Sequence, residues 1–329
     1  RGFVSAPVGR RQERMTPGKR ATMRRGICTL LCVLLLLAVP AGAAEQGVRV
    51  AFLDSGISLK HLDPERVEAG ENLLFPGRDT DDRVGHGTAT AGLVLGAADM
   101  GLTGLCPTAT AVPIVCDDRY PSGTAAQGDG ATLARAIRLA VDEYGCRIVN
   151  ISMGTTEDSQ ELRAAVEYAV SRGALLISAV GNDGQTAPER VYYPAAYDGV
   201  IGVGAADGEG AAPFSQRHGV DVLAPGTDLA VATNRNSASP QRRSGTSYAC
   251  AVVSGICAQI WTQEPELTAD QVEQRLFDMA RDVEEPGFDG DSGWGLVEPW
   301  EDALQLAGAY PAVRGAVAVA LLTALMSLK

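Results

Sequence analysis

The sequence predicts an α/β fold, a doubly wound, mostly parallel sheet with helices on both faces, built as a single domain. Three observations predict it. The chain has 329 residues, 46% of them hydrophobic and 21% charged, which supplies a sizeable core and excludes wholesale disorder, collagen and a small disulfide scaffold. From Val48 onward, short apolar strand-like runs alternate with helical stretches, the order that places parallel strands side by side through crossover helices. Within those stretches the apolar residues recur at helical spacing, as Ala131, Leu133, Ala134, Ile137, Ala140 and Val141 do.

In chain order, residues 48–53 read as the first strand and 87–96 as a helix opened by a Gly-rich turn. Residues 111–116 form the next strand and 131–144 the amphipathic helix just described. The strand 147–152 and the helix 159–171 follow. Residues 174–179 and 200–204 are further strands, and 247–261 and 268–279 close the pattern as helices. In sheets of this kind ligands sit at the carboxyl ends of the strands, so polar residues just beyond those ends are where chemistry is sought.

The first 43 residues stand apart. They hold eight Lys/Arg against one acidic residue, and Met23-Arg24-Arg25 precedes an uncharged apolar run over 27–39 that ends near Ala41-Gly42-Ala43. That is the pattern of a signal peptide, too short for a comfortable membrane span. Met23 is the preferred start, with a longer basic region from Met15 as the alternative. The expected organisation is therefore 1–43 upstream segment and signal peptide, 44–305 the folded domain, and 306–329 an apolar tail. The protein is expected to be exported, secreted or held at the cell surface. Beyond residue 43 the chain carries 20 basic against 39 acidic residues, a net −19, which argues against binding nucleic acid through its phosphates.

Three polar residues stand at strand ends or helix starts. Asp54 follows the first strand, His86 lies in Gly85-His86-Gly87-Thr88, and Ser247 lies in Ser244-Gly245-Thr246-Ser247. Singly, each has a plain structural reading, as a strand-end carboxylate, a residue of a helix-opening turn, or part of an ordinary helix N-terminal signal. Together they form the set that activates a hydroxyl nucleophile: imidazole takes the serine proton and the carboxylate orients the imidazole. A nucleotide-binding reading is disfavoured, because Asp54 stands where a Gly-rich phosphate loop would follow the first strand.

Over Val48 to about Leu304 the chain resembles the subtilisin-like serine proteases. The resemblance rests on six motifs in family order: Val-Ala-Phe-Leu-Asp54-Ser-Gly-Ile, Gly-His86-Gly-Thr-Ala-Thr-Ala-Gly, Ser-Ala-Val-Gly-Asn182-Asp-Gly, Tyr-Pro194-Ala-Ala, Leu-Ala-Pro225-Gly and Ser-Gly-Thr-Ser247-Tyr-Ala. It implies that Asp54 orients, His86 is general base and then acid, and Ser247 is the nucleophile. It further implies that the Asn182 amide, with the Ser247 backbone N–H, donates to the oxyanion; a surface-turn Asn between Gly181 and Gly184 is the plain alternative. It places the pocket for the substrate residue whose carbonyl is attacked (P1) between Ser152-Met153-Gly154 and Ala179-Val180-Gly181. Small and apolar walls suit an apolar P1 of moderate size, whereas Asp183 would favour a basic one. The substrates expected are proteins or peptides.

The chain also departs from the family. Tyr248-Ala249-Cys250-Ala251-Val252 lacks the Pro and His that usually follow the nucleophile, and Ala89 replaces a second His after His86. Only residues 44–53 lie between the expected cleavage site and Asp54, which leaves no room for the usual propeptide. Folding unaided, a partner in trans, and another form of restraint all remain open. A catalytically silent binding or assembly protein on the same fold is the alternative function.

Outside the signal segment there are five cysteines, an odd number. Cys106 and Cys146 each precede a strand at the amino edge of the sheet, and a disulfide between them is the one pairing the topology suggests. Cys250, one turn beyond Ser247, reads as a small buried residue. No metal site is assigned and the chemistry requires no cofactor. Calcium enters only as a structural ion that the family often uses, with Asp289-Gly290-Asp291 as candidate oxygens or as a polar turn. Residues 315–328 are uncharged; a helix packed on the domain and a short membrane anchor are both open, the anchor preferred because the run is apolar all round. The sequence leaves oligomeric state unspecified.

Overall fold

The computed structural model describes residues 47–299 apart from 121, 284 and 285; the signal segment and the apolar tail lie outside the described residues. Eight strands form the main sheet: β1 (Arg49–Asp54), β2 (Glu71–Asn72), β3 (Thr110–Val115), β4 (Ile148–Ile151), β5 (Leu175–Ala179), β6 (Val200–Asp207), β7 (Gly210–Ala211) and β8 (Val222–Pro225). They lie in the order β7-β6-β5-β4-β1-β3-β2, with β8 also on β6. All pairings are parallel except β6 with β7. The helices are α1 (His86–Leu95), α2 (Gly130–Asp142), α3 (Gln160–Ser171), α4 (Thr246–Gln263) and α5 (Ala269–Asp278).

Alternation along each strand sorts the core into two layers. Val50 and Phe52 of β1 join the cluster beneath α1, α4 and α5, while Ala51 and Leu53 join the one beneath α2 and α3. Helix α4 is the main filler of its face, with fifteen of its eighteen residues buried. Each fully buried Val or Ile in it is worth about 1.5–3 kcal/mol. Helix starts follow local chemistry: the Ser159 hydroxyl accepts from Leu162 N–H, and Thr268 and Gln271 form a reciprocal capping box.

The predicted disulfide does not form. All five described cysteines are free, and the reason is the side of the sheet. Cys106 is buried with the α1/α4 layer, where it meets the Thr262 hydroxyl, while Cys146 is buried with the α2/α3 layer. Both occupy the amino edge, but the sheet lies between them.

Candidate active site

β1 and β3 run in register, with Asp54 beside Val115 at their carboxyl ends. Asp54 is 1% exposed and accepts from Ser55 N–H at 2.7 Å, from Thr90 Oγ1 at 3.0 Å and from His86 Nδ1 at 2.7 Å. The His86 side chain is 29% exposed, so one edge of the ring is fixed to a buried carboxylate while the rest reaches solvent. This approach depends on Gly87: a Cβ there would stand 2.1 Å from Gly56 O and 3.2 Å from Asp54 Cβ, driving α1 off the strand end.

A second buried carboxylate supports the pair. Asp82 accepts from Ser55 Oγ, Val84 N–H and Gly85 N–H on one oxygen, and from Thr88 N–H and Oγ1 on the other, at 2.6–2.9 Å. It thereby takes up N–H groups that the start of α1 leaves unpaired. Burial raises the Asp82 pKa, which its hydrogen bonds oppose without reversing. At His86, burial works to lower the pKa, but the Asp54 charge and hydrogen bond, with Asp82 and Asp117, outweigh it and the net direction is upward. Asp117, half-buried just beyond β3, is itself pushed up to about 6, by burial first and then by the Asp54 charge.

Ser247 stands on the first turn of α4, 8% exposed. Its hydroxyl donates to Ser152 O at 3.0 Å rather than to His86, and Ser247 O accepts from Ser152 Oγ at 3.2 Å. Asn150 Nδ2 donates in turn to Ser152 Oγ at 2.8 Å, tying the turn that carries Ser247 to β4. The Tyr248 ring lies 5.4 Å from the imidazole and brackets it from the α4 side. Asn182 Oδ1 accepts from Thr246 N–H at 2.8 Å and from Thr246 Oγ1 at 3.1 Å, which orients the amide beside the helix start and leaves its NH₂ to donate. Asp54, His86, Ser247 and Asn182 are thus gathered at one end of the sheet.

The two pocket segments follow β4 and β5, which pair with Ile151 beside Ser178. Their side chains differ from the expected lining. Met153, half-buried, leans on the layer beneath α2 and α3, and Val180 is fully buried with Ala195, Leu223 and Leu296, so Val180 offers a substrate only main chain. Ala179 is a small buried residue, and Gly154 and Gly181 present backbone, Gly181 at φ +107°. Asp183 is engaged, accepting from Gln216 Nε2 at 2.9 Å, from Tyr192 OH at 3.2 Å and from Arg190.

Cys250 is buried, its thiol against Asn150 Oδ1 and Ile177 O at 3.3 Å, and burial pushes its pKa up, as suits an inert packing residue. Asp289 spends its oxygens on Asp291 N–H, Ser292 N–H and Ser292 Oγ. The Asp289-Gly290-Asp291 stretch closes a turn through these bonds, and among the described residues no group of three or more His, Cys, Asp or Glu could hold a metal ion. None of the described helices is long and apolar enough to cross a membrane.

Sequence reasoning missed Asp82, Thr90, Asp117 and Tyr192. Two of them left a trace, Asp82 as an acid shortly before the Gly-His-Gly turn and Thr90 inside the motif that turn opens.

Comparison with known proteins agrees with this geometry. The subtilase family model, Peptidase S8, matches residues 45–295. The thermostable alkaline protease of Halalkalibacterium halodurans is 33% identical over 256 residues, 76% of this chain and 66% of that protein, so the chain spans just under two thirds of this relative. Subtilisin DY of Bacillus licheniformis is 31% identical over 246 residues, 74% of this chain and 86% of that protein. Among solved structures, the S41 psychrophilic protease superposes with a TM-score of 0.68 at 28% identity, covering 77% of this chain and 92% of its own. With the parallel sheet, the Asp54–His86 pair and the Ser247 helix in place, the chain belongs to the subtilase family of serine peptidases.

Proposed function

We propose that this protein is an exported serine endopeptidase that hydrolyses protein or peptide substrates through an acyl-enzyme on Ser247. The observation that carries the reading is the buried Asp54–His86 hydrogen bond facing the helix start that holds Ser247 and Asn182. In the reaction the Ser247 hydroxyl turns from Ser152 O toward His86. As Oγ bonds to the substrate carbonyl carbon, its proton passes to the imidazole, and Asp54 stabilises the cation that forms. The oxyanion takes hydrogen bonds from the Asn182 amide and from Ser247 N–H, a first-turn donor without an intrahelical acceptor. His86 then protonates the leaving amine as the C–N bond breaks, and a water molecule deacylates the serine by the same steps in reverse. Export rests on the basic and apolar pattern over residues 23–43.

The test is intact mass after treating the full chain with a serine-reactive fluorophosphonate. Stoichiometric addition to wild type and none to Ser247→Ala is expected, with kcat lost on the order of 10⁶-fold in that variant. A well-folded wild type that does not label would favour the silent binding protein. Recovery from culture medium with Ala44 at the N-terminus would support export.

A further inference from the structure

The walls of the expected P1 pocket are two glycines, and one aromatic ring stands against both. A Cβ on Gly181 would lie 2.4 and 2.5 Å from Tyr192 Cδ2 and Cε2, and a Cβ on Gly154 would lie 3.5 Å from Tyr192 Cδ1. The two contacts fall on opposite edges of the ring. Tyr192 therefore lies between the segments after β4 and β5, in space that a substrate side chain would otherwise enter. The ring is fixed at both ends: its hydroxyl donates to Asp183 at 3.2 Å, and its neighbour Tyr193 exchanges two 2.8 Å backbone hydrogen bonds with Thr155. Asp183 is held in turn by Arg190 and Gln216.

From this we infer that Tyr192 truncates the P1 pocket, so that the enzyme cleaves after small residues such as Ala, Gly or Ser and excludes aromatic and long aliphatic ones. The inference rests on the peptidase reading above. It narrows the apolar P1 of moderate size expected from the motifs. It also removes the basic alternative, since a Lys or Arg at P1 would have to displace Arg190 and Tyr192 from Asp183. A half-buried ring that fills the space beside both glycines, where an added Cβ would meet it at 2.4–3.5 Å, cannot shrink, so discrimination comes from excluded volume rather than from a specific bond.

The experiment compares kcat/KM of the full-length enzyme for two internally quenched peptides that differ only in Ala or Phe at P1, normalised by fluorophosphonate titration of active sites. Wild type should prefer Ala by about 100-fold, the scale on which a filled pocket rejects added side-chain volume. Tyr192→Gly should raise the rate on Phe at least about tenfold and bring the ratio near or below one. Tyr192→Phe keeps the ring without the hydroxyl and should keep the preference for Ala. Equal wild-type rates on both peptides would overturn the inference, as would an unchanged ratio in a fully labelled Tyr192→Gly enzyme, while leaving the peptidase reading intact. Should Tyr192→Gly fail to label, Tyr192→Ala carries the same comparison. A wild type that neither labels nor cleaves would remove both.

Discussion

The two halves of the site are held in different ways. The Asp54–His86 half is wired by buried charge: two carboxylates, almost inaccessible to water, accept eight hydrogen bonds between them and pin the start of α1 to the end of β1. The Ser247–Asn182 half is set by neutral groups and packing, with the helix buried along most of its length and the Ser247 hydroxyl resting on Ser152 O. Fold and function are therefore coupled tightly in the first half and loosely in the second. On the proposed mechanism, orienting a base that carries a transient charge needs fixed opposite charge, whereas a serine hydroxyl has only to turn about one bond.

That contrast can be broken from either side. In the loosely coupled half, Asn182→Ala should lower kcat by about 100- to 1,000-fold with KM little changed, and calorimetry should find a fall in unfolding temperature smaller than that of Asp82→Asn, from the loss of one neutral acceptor for Thr246 N–H and Oγ1. In the wired half, Asp82→Asn places amide hydrogens against N–H donors. A loss of about 1–3 kcal/mol in urea unfolding is expected, together with weaker activity. If the stability costs came out the other way round, the contrast drawn here would be wrong.

A smaller effect sharpens the electrostatic part. On the proposed mechanism His86 acts as base only when neutral, so kcat/KM is expected to rise with pH through its pKa. Asp54, Asp82 and Asp117 raise that pKa against the effect of burial. Asp117→Asn removes one of these charges and should move the acid limb to lower pH, while rates at pH 8 change by less than about twofold. An acid limb that stays in place, or moves up, would show that Asp117 does not act on the imidazole. The smallest expected effect belongs to the core: with Cys106 and Cys146 on opposite layers, a reducing agent should leave the unfolding midpoint unmoved. Alkylation after denaturation without reductant should tag both thiols.

Much of this was readable from the chain, because backbone periodicity and short motifs are local. The five principal strands fall within one to three residues of their expected bounds. Ser159 and Thr268, read as helix residues, turn out to cap those helices from just outside. Strands β2, β7 and β8, at two to four residues each, are too short to show a period. The four catalytic candidates came from motifs, each a few contiguous residues. Asp82 and Tyr192 escaped because their roles depend on which elements pack together: Asp82 matters through Ser55, 27 residues earlier, and Tyr192 through Gly154, 38 residues earlier. The disulfide expectation failed for a related reason. Position along the sheet followed from strand order, but the layer to which each cysteine turned did not.

The burial of α4 bears on how the chain comes into being. A chain that ends at Gly245 contains β1 to β8 and α1 to α3, so one layer keeps α1 but lacks α4, which supplies fifteen buried residues to it. A product that stops short of Thr246 therefore exposes part of the apolar side of its sheet as well as lacking Ser247. Apolar surface exposed in this way makes such a fragment prone to aggregation.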